Sequence, residues 1–193
     1  MASTDVKIGL LDMSSVFPVA RSACGALDAF RTVRQPTSQQ GRRFTALQSN
    51  WELALDTPPC TGRMAKPVVE MEIGDPSKNF TLVGMDGSGK LQQIFADREH
   101  FDRFRASNSE WVSEVGDDSY QSIACVDNTG LVGQLLLTGQ RPFPLQIPDA
   151  EATSGAKGQQ VDAAWIERFK TMARQRGWKA EMVWYRVVND TPD

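Results

Sequence analysis

The spacing of apolar side chains changes twice along the chain. In residues 18–35 they stand three and four positions apart, which is the pattern of one face of an amphipathic helix. Between residues 68 and 137 they stand at every second position, a pattern typical of strands. Helical spacing returns in residues 161–177. The pattern therefore predicts a helix near each end of the chain and a sheet between them.

The second helical segment carries the clearest end signals. Two arginines stand in its last turn, where cations complement the helix dipole, and Gly177 stands where a C-terminal cap belongs. Residues 148–160, which are polar and rich in Gly and Ala, predict a flexible loop before it. We therefore expect a helix over 161–177, followed by a closing strand over 178–188.

Turn residues divide the central region into short strands. Clusters of Gly, Asp, Asn and Ser, such as "GDPSKN", "DGSG" and "DNTG", recur about every 8–12 residues. This spacing favours an antiparallel meander over a parallel sheet. We predict an α+β fold in which an antiparallel sheet of about six or seven strands, sandwich- or barrel-like, is covered by one or two amphipathic helices. Residues 44–193 are expected to form this domain, and residues 1–43 an N-terminal helix and basic arm.

One predicted hairpin contains a cysteine. Residues 119–126 alternate so that Cys125 lies on the apolar face, and "DNTG" supplies the Asn and Gly of a tight turn before residues 130–137. A nucleophilic thiol would need a base close by, and the single histidine, His100, stands in a separate short helical segment. We therefore interpret Cys125 as a small buried side chain of a hairpin. His100 is interpreted as a solvated residue of a polar helix.

Motifs for metals and cofactors are weak in this sequence. Residues 84–90, "GMDGSGK", have the glycine and lysine spacing of a phosphate loop, but Leu91 replaces the Ser or Thr that holds magnesium. A strand pattern follows, so this stretch predicts a hairpin turn. Three cysteines without a CxxC pair and one histidine do not make a usual zinc ligand set. We expect reduced thiols, no metal and no cofactor.

The chain carries no sequence signal for a membrane or for export. No apolar run reaches the roughly 18–20 residues that cross a bilayer. The first residues place an Asp before the first Lys and have no sustained apolar region, so no signal peptide is expected. These observations predict a soluble protein of the cytoplasm without a membrane partner.

Charge is distributed unevenly along the chain. Residues 1–66 carry 8 Lys and Arg against 5 Asp and Glu, residues 67–155 carry 6 against 14, and residues 156–193 carry 7 against 5. Basic ends around an acidic middle are suited to an acidic partner, including the middle of a neighbouring copy. The other interpretation is a solvated surface on which like charges cluster by chance.

This charge pattern leads to three hypotheses about function. The first is a non-enzymatic protein-binding or assembly protein that uses its N-terminal arm, such as a subunit of a phage or viral particle or a small adaptor. Deleting residues 1–43 should then preserve the fold and abolish assembly. The second is single-stranded nucleic-acid binding, since a basic arm beside Phe and Trp suits stacked bases. The third is an enzyme of unrecognised class. The predicted partner-binding residues are Arg34, Arg42, Arg43 and Trp51, with Asp117 and Asp118 as an acidic complement.

Overall fold

Three α-helices and eleven strands lie in the part of the chain that the computed structural model describes. This part comprises residues 20–34, 44–46, 52–54, 62–65, 68–71, 79–107, 119–121, 124–125, 130–143 and 158–187. The helices are α1 (Cys24–Arg31), which follows a 3₁₀ turn at Arg21–Ala23, α2 (Arg98–Ser107) and α3 (Ala163–Arg176). The strands are β1 (Phe44–Ala46), β2 (Glu52–Ala54), β3 (Gly62–Ala65), β4 (Val68–Met71), β5 (Asn79–Asp86), β6 (Lys90–Phe95), β7 (Ser119–Gln121), β8 (Ala124–Cys125), β9 (Gly130–Gly139), β10 (Gln159–Gln160) and β11 (Lys179–Val187).

The central sheet has five strands in the order β10-β6-β5-β9-β11, and each neighbouring pair is antiparallel. The remaining described strands form two antiparallel three-stranded sheets, β1-β4-β7 and β2-β3-β8. The structure thus confirms the α+β class and the antiparallel sheet. The central sheet has five strands, where the sequence predicted about six or seven.

Both faces of the central sheet are covered in its middle. One apolar cluster joins the sheet to α1 and α3 and includes Phe30, Val83, Met85, Leu135, Leu137 and Phe169. A second cluster on the opposite face joins it to α2 and β4 and includes Val69, Met71, Phe80, Leu82, Phe101 and Leu136. The three consecutive leucines of β9 are therefore all buried. A continuous apolar run of this kind is expected of a strand that is covered on both sides.

The predicted hairpin around Cys125 is wrong. The stretch 119–126 contains two short strands, of which β7 pairs with β4 and β8 pairs with β3, where Cys125 lies opposite Met64. β9 pairs instead with β5 and β11. The reason is that the leucines of β9 need neighbours on both sides and cover on both faces, and only the centre of the large sheet provides these. The environment of the Cys125 side chain lies outside the described residues.

α1 and α3 pack side by side on one face of the sheet. The rings of Phe30 and Phe169 meet edge-on, with 5.2 Å between their centroids. At the start of α1, a Cβ on Gly25 would lie 2.7 Å from Cδ1 of Ile166. Contacts between the helices advance in the same direction along both, so α1 and α3 run parallel and their carboxyl ends lie at the same end of the sheet. α1 therefore shares one core with α3.

The turn between β5 and β6 has the hairpin geometry that the sequence predicted for residues 84–90. The Asp86 carboxylate accepts hydrogen bonds from the backbone N–H groups of Ser88 and Lys90, at 2.8 and 3.0 Å. Gly89 has a φ of 84°, a conformation that glycine adopts without strain. The strands pair from Met85 and Leu91 to Val83 and Gln93, and the register then shifts so that Leu82 lies opposite Phe95.

The start of α1 is attached to this turn. The hydroxyl of Ser22 donates to the carbonyl of Ser88 at 2.7 Å. The backbone of Gly89 comes so close that a Cβ there would lie 2.4 Å from Cα of Ala23. The 3₁₀ turn that leads into α1 is thus fixed to the β5–β6 turn.

Two tryptophans lie over glycines of β9. Trp184 is paired with Gly133, and a Cβ on that glycine would lie 2.6 Å from the indole ring. Trp178 lies over Gly139, where a Cβ would lie 2.1 Å from the indole. The glycines leave room for the two rings on the face that α1 and α3 cover.

Candidate partner-binding surface

α3 ends in a left-handed turn that fixes where the chain enters β11. Gly177 has φ 63° and ψ 33°, and its N–H donates to the carbonyl of Arg174. Glycine is favoured there because a side chain is strained at positive φ. At the other end, the carboxylate of Asp162 caps the helix by accepting the N–H of Trp165 at 2.6 Å. The observed helix and strand lie within the predicted ranges 161–177 and 178–188.

α1 ends at the same end of the sheet. The carbonyl of Val33 accepts the N–H of Ala180 at 2.8 Å, and Arg34 forms an isolated parallel bridge with Ala180. The chain that leaves α1 is thereby held beside the first residues of β11. The Arg34 side chain is exposed at this point.

Five cations collect where the two helices end. They come from the end of α1, the segment after β9, the last turn of α3 and the start of β11. We call this group the basic end; it consists of Arg34, Arg141, Arg174, Arg176 and Lys179. Four of them are exposed and Arg176 is half-buried. Ala180 faces the helices, so Lys179 lies on the opposite face of its strand and extends the basic end around the edge of the sheet.

The carboxylates near the helices are engaged by partners of their own. Asp28 lies 3.0 Å from Nζ of Lys170 and 3.1 Å from Nη2 of Arg31. Nζ of Lys170 also lies 3.2 Å from Oε1 of Glu167. The hydrogen bond from Lys170 holds the pKa of Asp28 below its ordinary value of 3.8, and the same bond raises the pKa of Lys170 above 10.5. These carboxylates therefore do not neutralise the basic end.

The layer formed by α1, α3 and β11 has a positive net charge. Residues 20–34 and 158–187 contain nine Lys and Arg against four Asp and Glu. Arg141, Arg174 and Lys179 form no ion pair within the described residues. A cation in the last turn of a helix also stabilises that helix end, by about 0.3–1 kcal/mol. This role does not account for Arg141 and Lys179, which lie outside the helices.

A small cleft lies beside the basic end. Its lining includes Asn79, Thr138, Arg141, Phe143 and Trp178, and its volume is about 10 Å³. The rings of Phe143 and Trp178, which both line it, stack with 4.4 Å between their centroids. A cleft of this volume holds about one water molecule. The chemistry of this end therefore suits contact with another surface better than capture of a small molecule.

Of the six predicted partner-binding residues, Arg34 lies in the described part of the chain, at the basic end. The other five, Arg42, Arg43, Trp51, Asp117 and Asp118, lie outside the described residues. The sequence did not identify the other four members of the basic end as one group. The arginines of α3 were interpreted only as helix-end cations. The positive balance of residues 156–193 was the available signal, but it does not reveal that α1 ends beside α3.

His100 is buried, and its interpretation as a solvated residue is wrong. Its Nδ1 accepts the N–H of Ala96 at 3.2 Å, and its ring packs edge-on against Phe95, with 5.7 Å between centroids. The backbone N–H of His100 donates to Oδ1 of Asp97 at 2.8 Å, and this bond caps α2. His100 is buried because the next residue, Phe101, packs α2 onto the sheet and so places the first turn of α2 against β6. His100 thus holds the start of α2 in place.

Within the described ranges, no group of three or more His, Cys, Asp or Glu is arranged to hold a metal ion. The described helices include none with the length and apolarity needed to cross a membrane.

Compared with protein-family models, with curated proteins and with solved structures, the chain shows no match to any of them. The function is therefore inferred from the chemistry of the surface.

Proposed function

We propose that the protein is a non-enzymatic binding or assembly protein that holds an acidic protein partner at its basic end. The observation that carries this proposal is the meeting of cations from four separate elements at one end of the molecule, while the carboxylates of Asp28 and Glu167 pair with Lys170. A surface with one sign of charge attracts and orients a partner of opposite sign. A subunit of a larger particle and a small cytoplasmic adaptor both fit this role.

The backbone that carries the arginines of the basic end is held in place, and this favours specific contact with carboxylates. Arginine binds a carboxylate through two parallel hydrogen bonds, so its position matters more than that of a lysine. The backbone beneath Arg174 is fixed by the cap at Gly177, and the backbone beside Arg34 is fixed by the bond from Ala180 to Val33. Fixed supports reduce the entropy that a contact costs. The arm predicted from the sequence continues from Arg34 and would add Arg42 and Arg43.

Binding of an acidic polypeptide tests the proposal. Fluorescently labelled poly-glutamate is titrated with the full chain at low salt, and anisotropy is measured. The variant Arg141→Gln/Arg174→Gln/Lys179→Gln removes three exposed charges from the basic end. Exposed ion pairs contribute about 0.2–1 kcal/mol each, so the triple variant should weaken binding about tenfold.

A matched control removes three positive charges from other parts of the same layer. Arg21, Arg168 and Arg186 are exposed and lie outside the basic end. The variant with these three changed to Gln should bind poly-glutamate nearly as well as the wild type. Equal losses in both triple variants would show that only net charge matters, and the proposal would fail.

The same titration with a single-stranded oligonucleotide distinguishes binding of an acidic protein from single-stranded nucleic-acid binding. Nucleic-acid binding would give tighter binding of oligothymidine than of poly-glutamate, with a steep loss on added salt. The described cations have few exposed aromatic neighbours for stacking, since Trp178 is 4% exposed. We therefore expect the polypeptide to bind more tightly.

A further inference from the structure

We infer that the acidic partner carries an aromatic side chain between its carboxylates, and that this side chain packs against Phe143 at the basic end. The inference rests on the proposed function and names the chemistry of the partner. Phe143 is half-buried, whereas Arg141 and Pro142 just before it are exposed. Carboxylates alone would bind the cations and leave the accessible part of Phe143 in water. An aromatic residue of the partner would remove that apolar surface from water as well.

The ring of Phe143 is held by two other rings. It stacks on Trp178, with 4.4 Å between the centroids, and its centroid lies 6.1 Å from that of Phe169. Both of these residues are buried in the apolar cluster that α1 and α3 form with the sheet. Phe143 therefore lies at the margin of this core in a fixed position. A ring that is already fixed loses little conformational entropy when a partner packs against it.

Cations from two elements lie close to this ring. Arg141 stands two positions before Phe143 and lines the same cleft. The backbone N–H of Trp178 donates to the carbonyl of Ala173 at 3.0 Å, so the stacked rings lie beside the last turn of α3, which carries Arg174. Aromatic residues and arginine are enriched at the centres of protein interfaces. The segment that matches this surface has an aromatic residue with carboxylates on both sides.

Two labelled peptides of nine residues and equal charge, EEEEFEEEE and EEEESEEEE, test the inference by fluorescence anisotropy with the full chain. The wild type should bind EEEEFEEEE about tenfold more tightly, because a packed aromatic pair adds to the ion pairs. Salt screens charges but does not weaken the burial of apolar surface. Raising the salt to about 0.15 M should therefore lower both affinities and leave their ratio nearly unchanged.

Two variants locate the contact. Phe143→Ala should bind both peptides equally, with the affinity that the wild type has for EEEESEEEE. Phe104→Ala truncates a half-buried ring in the cluster on the opposite face of the sheet and should keep the tenfold preference. A preference for EEEEFEEEE that survives in Phe143→Ala would overturn the inference. Thermal unfolding of both variants checks that they are folded.

A second measurement on the wild type does not depend on the folding of any variant. The same peptide with benzoylphenylalanine in place of its Phe is irradiated with the wild-type chain, and mass spectrometry locates the crosslinks. Crosslinks to Phe143 or to the cations beside it, Arg141 and Arg174, are expected. Crosslinks confined to other parts of the chain would overturn the inference.

Failure of this inference is distinguishable from failure of the proposed function. If the wild type binds the two peptides equally and Arg141→Gln/Arg174→Gln/Lys179→Gln weakens both, the aromatic contact is overturned and the acidic partner remains. If the wild type binds neither peptide, both proposals are overturned. Tighter binding of oligothymidine than of EEEEFEEEE would also overturn both, because the surface would then prefer nucleic acid.

Discussion

The Nζ of Lys170 on α3 lies 3.0 Å from Oδ2 of Asp28 on α1, so one ion pair joins the two helices that cover the same face of the sheet. Lys170 is 19% exposed and Asp28 is 48% exposed, so solvent weakens but does not remove the interaction. Their mutual hydrogen bond is the main cause of two opposite pKa shifts, downward for Asp28 and upward for Lys170.

These shifts predict how stability depends on pH. A lowered carboxyl pKa adds stability above the unfolded value of 3.8, and this is lost as pH falls through the folded pKa. A raised ammonium pKa adds stability below 10.5, and this is lost as pH rises through the folded pKa. Wild type should therefore exceed Asp28→Asn in free energy of unfolding near neutral pH, with a smaller difference at both extremes. Urea unfolding across pH measures this difference.

The control for this prediction is Glu99→Gln. Glu99 pairs with Arg103 at 2.6 Å within α2, and both side chains are largely exposed. Glu99→Gln breaks an ion pair within a single helix, so it should lower the free energy of unfolding less than Asp28→Asn does. A difference between wild type and Asp28→Asn that is constant across pH would contradict the assigned role of the pair.

Phe30→Ala tests whether α1 belongs to the core. Phe30 is 2% exposed and packs edge-on against Phe169. Its truncation should lower the free energy of unfolding by about 3–5 kcal/mol, because it leaves a cavity between α1 and α3. Leu27→Ala, on a half-buried neighbour in the same helix, should cost less. Chemical denaturation measures both, and equal small effects would show that α1 is dispensable.

This packing also changes the deletion experiment that the sequence suggested. Removing residues 1–43 would take away α1 and expose the apolar face that it covers on α3 and the sheet. Loss of assembly in such a variant would therefore not isolate the arm. Substitution of Arg42 and Arg43 with Gln tests the arm while α1 stays in place.

Gly89→Ala should be more destabilising than Gly177→Ala. Both glycines have positive φ, which costs a side chain about 1–2 kcal/mol. A Cβ at Gly89 would in addition lie 2.4 Å from Cα of Ala23, whereas no atom lies within 4 Å of one at Gly177. Thermal unfolding should show the larger loss for Gly89→Ala. If Gly177→Ala were the more destabilising of the two, the start of α1 would not be held against the β5–β6 turn.

His100→Leu should destabilise the protein by about 1–3 kcal/mol, because it leaves the N–H of Ala96 without its acceptor. His100→Asn keeps an acceptor near the position of Nδ1 and should cost less. Denaturant unfolding measures both losses, and hydrogen exchange of the Ala96 amide reports the bond itself. Equal protection of that amide in the two variants would contradict this role for His100.

Elements with local signals were predictable from the sequence. The last turn of α3 has its arginines and Gly177, and the β5–β6 turn has Asp86 and Gly89, all within a few residues of the feature they determine. Strand partners depend on distant residues. Nothing near β9 in the sequence specifies β11 as its neighbour, although the run Leu135–Leu137 does indicate a strand covered on both faces.

The basic end was predictable only in part, for the same reason. Arg34 was identified from the charge of its own segment, whereas its proximity to Lys179 arises from the bond between Val33 and Ala180, which are distant in sequence. His100 was misassigned because its neighbours are charged. Its burial depends on the packing of α2 by Phe101, a tertiary effect that a local charge pattern does not reveal.

The two indole rings over glycines have a consequence for strand alignment. Since β9 buries side chains on both faces, a two-residue slippage against β11 would still cover apolar groups, and hydrophobicity alone would penalise it little. That slippage would bring Trp184 against Leu131 or Leu135 in place of Gly133, and Trp178 would lose its space at the same time. Both indole rings must lie over their glycines at the same time, so steric clashes disfavour the misaligned pairings of β9 and β11.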